Sequence, residues 1–284
     1  MDINARYGLE FNPFLKNSKE ILFESKEYRE TLFRLDYLAK TKGFGLLTGS
    51  PGRGKTTAVR AWAASLNPSL YKVIYSGLST LTVNDFYRDL ALQLGAQPAF
   101  RKVDNFHLIQ EEITRLSVEK RKTPVIIIDE ADHISSNVLS DLKILFNFEM
   151  DSRDRAIILL VGLAKINNTL NLTAHEPLRQ RIIMNYNVDG LSKEEGRQYI
   201  ARKLEGAGCR QTVFDEGAVE AILNAADGTA RMINKYCNSV CDNNFYEVTP
   251  NHQQDTFNKI FKRNSCRQIH LLKEIFCLDD WSDN

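Results

Sequence analysis

Eight consecutive residues, Gly49-Ser50-Pro51-Gly52-Arg53-Gly54-Lys55-Thr56, have the types and spacing to do chemistry. They match G-x-x-x-x-G-K-[ST], the phosphate-binding turn of nucleotide-dependent proteins. Three glycines admit backbone angles that a side chain forbids, so successive N–H groups turn inward toward phosphate oxygens. In such a turn these residues and Thr57 cradle ATP, Lys55 reaches the β- and γ-phosphates, and the Thr56 hydroxyl holds Mg²⁺. A second cluster, Asp129-Glu130, supplies carboxylates. Asp129 is suited to hold the metal through water, and Glu130 to orient and polarise the attacking water. Phosphoryl transfer to water depends mainly on positioning and charge stabilisation, so one carboxylate beside the metal suffices.

The elements that must position these groups are legible around them. Phe44-Gly45-Leu46-Leu47-Thr48 reads as a buried strand leading into the turn. Ala58-Val59-Arg60-Ala61-Trp62-Ala63-Ala64 reads as the helix leaving it, with its positive dipole end at the phosphates. Pro124-Val125-Ile126-Ile127-Ile128 is a strand apolar on both faces that ends in the carboxylates. Further strands are expected at 71–75, 156–161 and 182–188. Between them, Val83, Phe86, Tyr87, Leu90 and Leu94, then Phe106, Ile109, Ile113 and Leu116, then Val138, Leu139, Leu142, Leu145 and Phe146 recur at helical spacing. Strands alternating with amphipathic helices imply an α/β fold with a parallel sheet.

The composition narrows the class. The chain has 284 residues, 43% apolar and 26% charged, with a net charge of +1, as in an ordinary globular protein. No global basic field announces nucleic acid, so any such binding must use local patches. The longest apolar runs, at 125–128 and 156–161, fall far short of the roughly 20 residues that span a bilayer, and the first residues lack the apolar stretch of a signal peptide. Five cysteines without regular spacing suggest free thiols in a reducing compartment, so the expected location is cytoplasmic, with no membrane partner. Cys237 and Cys241 continue the stripe Met232, Ile233, Tyr236, Val240 and read as buried thiols on one helix face.

From Gly190 the texture becomes helical only. Ser192-Lys193-Glu194-Glu195 is a capping box opening one helix. Phe214, Ala218, Val219, Ile222, Leu223 and Ala226 mark a second, and Gly228-Thr229-Ala230-Arg231 starts a third. The organisation expected is a lead-in at 1–43, a nucleotide-binding core at 44–190, a helical lid at 191–247 and a tail at 248–284.

Strand, phosphate turn, intervening strand, acidic strand and helical lid together resemble the AAA+ ATPases, P-loop proteins with a three-layer parallel sheet sandwich. Two neighbouring families share more. The ExeA (GspA) family of secretion ATPases resembles this sequence in Asn12-Pro13-Phe14, Leu178-Arg179-Gln180-Arg181-Ile182, Leu191-Ser192 with Tyr199-Ile200, Ala207-Gly208 and the stretch from Gly228 to Asn234. The transposition-helper ATPases (TnsC, MuB, IstB and TniB types) look similar over the core. Lacking an apolar span, the sequence is expected to sit with the stand-alone, transposon-associated group.

That resemblance implies further roles. Arg181, favoured slightly over Arg179, would act as an arginine finger across a subunit boundary. Arg231 would link the lid to the nucleotide, although Ala230 stands where many relatives have proline. No polar γ-phosphate sensor is evident after 156–161 before Lys165 or Asn167. Thr80, Thr82, Arg101 and Lys102 are candidates for sequence-tolerant contacts with duplex DNA phosphates. The function implied is an ATPase that assembles with ATP on duplex DNA as a ring or helical filament, recruits a DDE transposase and disassembles on hydrolysis. The alternative is an ATPase of a secretion system.

Overall fold

The computed structural model describes residues 3–77 and 80–243; the expected tail at 248–284 lies outside them. In chain order the main elements are α1 (Ile3–Tyr7), α2 (Lys26–Thr41), β1 (Gly43–Gly49), α3 (Lys55–Ser65), β2 (Tyr71–Ser76), α4 (Val83–Leu94), α5 (Lys102–Thr114), β3 (Thr123–Ile128), α6 (Ser136–Leu145), β4 (Ile157–Gly162), α7 (Ile166–Leu170), α8 (Glu176–Arg179), β5 (Ile182–Val188), α9 (Lys193–Gly206), α10 (Glu216–Ala226) and α11 (Ala230–Asn243). They form two compact units, Lys26–Asp189 and a second that joins residues 3–25 to 190–243. The expected lead-in at 1–43 is thus divided: α2 is part of the nucleotide unit, whereas residues 3–25 fold with the helices after Gly190.

The first unit is a five-stranded sheet in the order β2-β3-β4-β1-β5, with every pairing parallel. β1 and β4 are buried at every position, the pattern of strands covered on both faces. Alternate side chains separate into two cores. Phe44, Leu46, Ile126, Ile128, Ile158 and Leu160 face α4, α5 and α6. Leu47, Val125, Ile127, Leu159 and Val161 face Leu35 and Leu38 of α2 and Val59 and Trp62 of α3. Helices, sheet and helices make the expected three-layer α/β sandwich. Each fully buried Leu or Ile contributes roughly 1.5–3 kcal/mol, so the two central strands hold much of its stability.

Gly45 explains how α2 reaches the sheet: a Cβ there would lie 2.4 Å from Leu38 Cδ2. Glu27 at the start of α2 accepts from the Tyr186 hydroxyl at 2.8 Å and from the Asp189 amide at 3.1 Å, so it fastens to the end of β5.

The second unit is helical. Ser192 and Glu195 form the expected capping box at the head of α9. Its core gathers Ile222 and Leu223 of α10 with Ile233, Tyr236, Val240 and the buried thiols of Cys237 and Cys241 of α11. Asn12-Pro13-Phe14 is strapped onto this core. Asn12 Nδ2 donates to Asn238 Oδ1 at 2.7 Å, Lys203 Nζ donates to the Pro13 carbonyl at 3.0 Å, and Phe14 meets Phe214 edge-on at 6.1 Å. Gly190 and Gly228 let two backbone segments pass closely: Leu191 N–H donates to the Gly228 carbonyl at 2.8 Å, and a Cβ on Gly228 would lie 2.6 Å from the Leu191 carbonyl.

Candidate functional site

The phosphate turn joins β1 to α3 as the sequence pattern requires. Gly52 and Gly54 have φ of 77° and 92°, a region that side chains rarely enter. Gly54 is also the N-cap of α3 and offers no side-chain acceptor, so the first N–H groups of that helix stay available for an anion. Lys55 is buried and turns back on its own loop, with Nζ donating to the Gly49 carbonyl at 2.7 Å and the Ser50 carbonyl at 3.0 Å. Its ammonium therefore already sits inside the loop. Ser50 and Pro51 face solvent, Thr57 is half-buried, and Arg53 lies 3.6 Å from Asp189.

The parallel sheet brings the acidic cluster to the same edge. Asp129 is buried just beyond β3, and its Oδ2 accepts from Thr56 Oγ1 at 3.3 Å. A hydroxyl and a carboxylate in contact are the hard oxygen donors that Mg²⁺ selects, so the residues present fit that ion. Asp129 Oδ1 accepts from the Glu130 amide at 2.9 Å. Glu130 is exposed and held at φ 51°, ψ 36°, a left-handed conformation uncommon for a residue with a side chain. Such strain persists only where surroundings impose it, and it collects at functional sites.

Asp132 is the surrounding group that fixes this turn. Its side chain is fully shielded from solvent, its Oδ1 accepts from the Leu163 amide at 2.9 Å, and its Oδ2 pairs with Lys165 Nζ at 2.9 Å. Burial pushes its pKa up, but the Leu163 amide and the Lys165 ammonium outweigh burial and the net shift is downward. Gly162 makes room for it, because a Cβ there would lie 2.8 Å from Asp132 Oδ1. This accounts for the lack of a polar side chain at the end of β4: the space is filled by a carboxylate from the neighbouring loop. Lys165, one of the two sensor positions considered from sequence, is engaged in that pair.

Tyr75, which sequence reasoning read only as a strand residue, belongs to the site. Its hydroxyl donates to Asp129 Oδ2 at 3.0 Å. Burial of the hydroxyl, then the charge and hydrogen bond of Asp129, push its pKa up to about 12, so it remains a donor at neutral pH. Period-two patterning identifies the strand but carries no sign that this hydroxyl points at the carboxylate.

Arg179 is exposed at the end of α8, with Nη1 3.3 Å from Asn171 Oδ1. Arg181 is half-buried and donates from Nη1 to the Lys143 carbonyl of α6 at 3.0 Å. The other end of α6 is tied to the same region by Ser136 Oγ, 2.6 Å from Nε2 of buried His175. Arg231 is exposed on the first turn of α11 in the helical unit. Of the four DNA candidates, Thr82 caps α4 by accepting from the Asp85 amide at 3.3 Å, and Lys102 pairs with Asp141 at 2.5 Å. Thr80 and Arg101 are exposed. Among the described residues no helix is long and apolar enough to cross a membrane.

A family model described as AAA domain matches residues 38–170, which span the sheet from α2 to α7. General secretion pathway protein A of Aeromonas hydrophila is 30% identical over 236 residues, covering 81% of this chain and 43% of its own. The chain therefore spans less than half of that relative's length. Among solved structures, Drosophila ORC bound to DNA is similar with a TM-score of 0.64 at 17% identity, covering 88% of this chain and 64% of that one. The Walker-type ATPase of Pyrococcus abyssi is similar with a TM-score of 0.63 at 17% identity, covering 93% of this chain and 80% of that one. At such identities the structural likenesses establish the fold, which is that of AAA+ ATPases. The AAA domain match and the similarity to General secretion pathway protein A support an ExeA/GspA-like AAA+ ATPase, in line with the enzyme class expected from the motifs.

Proposed function

We propose that this chain hydrolyses ATP at the edge of the sheet between the phosphate turn and Asp129-Glu130, and that the bound nucleotide switches its association with copies of itself and with a partner. The observation that carries the reading is the convergence of Thr56 and buried Asp129 within 3.3 Å, beside a Glu130 held in a left-handed turn. The turn amides and Lys55, released from the Gly49 and Ser50 carbonyls, bind the phosphates. Thr56 and Asp129 would hold Mg²⁺, which would supply charge neutralisation to the bound phosphates. Glu130, exposed and aimed by the strained turn, orients the water and takes its proton. Arg179, the more accessible of the two arginines, is the better placed to reach the nucleotide of an adjoining copy, and Arg231 acts from the helical lid.

For the partner, the reading developed from sequence is duplex DNA in a transposition complex, with the ATP-bound chain recruiting a DDE transposase. Its support is the AAA+ fold shared with Drosophila ORC, solved bound to DNA, and the exposure of Thr80 and Arg101. Thr82 and Lys102 already serve α4 and Asp141, so the basic surface for DNA is smaller than the sequence suggests. The secretion-type reading is supported at least as well, because the similarity to General secretion pathway protein A extends over 81% of this chain.

Three measurements test these readings. Phosphate release from ATP with Mg²⁺ tests the enzyme itself. Sedimentation with a non-hydrolysable ATP analogue, with and without duplex DNA, tests the partner. Large DNA-dependent assemblies that dissolve as salt is raised fit the transposition reading. Indifference to DNA, together with recovery from native cells in the membrane fraction, supports the secretion reading instead.

A further inference from the structure

The chemistry assigned so far uses Asp129 as a metal-holding carboxylate but does not explain what holds the carboxylate. Asp129 Oδ1 is engaged by the amide of its own neighbour Glu130, and Oδ2 receives two hydroxyls, from Thr56 at 3.3 Å and Tyr75 at 3.0 Å. The two hydroxyls are not equivalent. Thr56 opens α3 beside the phosphate turn, and in the reading above its oxygen is required by the metal. Tyr75 comes from the neighbouring edge strand and has no other assigned task.

The backbone is built to deliver that hydroxyl. β2 pairs with β3 in parallel register, with Tyr75 opposite Ile127, and the Asp129 amide donates to the Ser76 carbonyl at 3.0 Å. The pairing therefore continues one step past β3 and fixes the carboxylate beside the end of β2. Gly77 leaves the tyrosine ring its place, since a Cβ there would lie 3.2 Å from Tyr75 Cε1. The ring is 53% exposed, so it adds little to the core, yet its hydroxyl is directed at a buried carboxylate.

We propose that Tyr75 is a positioning residue that holds the Asp129 carboxylate in its metal-binding orientation once Thr56 turns to the ion. This rests on the assignment of Asp129 to Mg²⁺. The hydroxyl leaves one lone pair on Oδ2 free, and it restrains the side-chain torsion that would swing the carboxylate toward solvent. Outer hydrogen-bond partners of metal ligands commonly govern affinity for the ion by about 10- to 100-fold.

The test uses Tyr75→Phe and Tyr75→Ala with a fluorescent, non-hydrolysable ATP analogue. Binding is measured first in chelator without divalent metal and then across a Mg²⁺ titration, and Mn²⁺ binding is followed by electron paramagnetic resonance. In Tyr75→Phe, metal-free affinity for the analogue should stay at the wild-type value while the Mg²⁺ needed for half-maximal tightening rises about 10-fold. The Mn²⁺ signal should report the same weakening. Tyr75→Ala should match Tyr75→Phe, because the hydroxyl and not the ring is at work. A Tyr75→Phe titration superimposable on wild type overturns the proposal, as does a defect present only in Tyr75→Ala. If the wild-type protein itself binds the analogue without regard to Mg²⁺, the underlying assignment of Asp129 has failed, and that outcome differs visibly from either of the others.

Discussion

Both units of this chain bury polar groups, and they do so to opposite ends. In the sheet unit two of them, Lys55 and Asp129, lie just past the tips of β1 and β3, beside exposed Thr56 and a strained Glu130. Here one element's donors converge on another's acceptors around an edge open to solvent. In the helical unit the groups are dispersed and tie one segment to another: Lys203 on the Pro13 carbonyl, Asn12 on Asn238, Tyr199 on Asn234. Under the proposed function a buried lysine binds phosphate in one unit, whereas in the other it anchors a strap. Burial does not distinguish them. Convergence and backbone strain do.

The comparison breaks most readily at the two lysines. Lys55→Ala should weaken ATP binding about a hundredfold or more, since charge-assisted hydrogen bonds to the phosphates are lost, as read by titration calorimetry. Next, Glu130→Gln should keep nucleotide affinity while phosphate release falls about 10²- to 10⁴-fold, the usual range for a positioned acid–base group. Turnover at the wild-type rate in Glu130→Gln would remove the strained turn from the mechanism.

Lys203→Met should leave ATP affinity unchanged and cost about 1–3 kcal/mol in denaturant unfolding, because the Pro13 carbonyl is left without its donor. An equal loss of nucleotide binding in this variant would erase the distinction between the units.

The smallest effect concerns pH. Burial is the main cause raising the Tyr199 pKa from 10.0 to about 12. Its contribution to stability is therefore complete below pH 10 and is lost as pH rises from about 10 to about 12, where the unfolded chain has already given up the proton. Tyr199→Phe should flatten that part of the unfolding profile without altering stability's pH dependence near neutrality.

What could be read in the sequence follows the reach of each interaction. The phosphate turn and acidic strand announce themselves because glycine spacing and a strand ending in carboxylates are local patterns. Ser192 and Glu195 were legible for the same reason. Residues whose partners lie far along the chain were not. Tyr75 and Asp129 are joined by sheet register, Arg181 is joined to the Lys143 carbonyl by helix packing, and Lys102 is taken up by Asp141. Their types suit several roles, and only the fold selects one. Asn12-Pro13-Phe14 was evident as a motif, but its residence on α9 and α11 depends on contacts across most of the chain.

That last arrangement bears on how the chain is made. The helical unit draws its first piece from residues 3–25 and its remainder from beyond Gly190, so no ribosome can release a complete copy of it until the whole sheet unit has emerged. The early segment, with Phe14 among its apolar residues, must wait through that synthesis without its eventual neighbours, while the intervening sheet unit is free to fold on its own. Loss of the helices after Gly190 would then strand residues 3–25 as well.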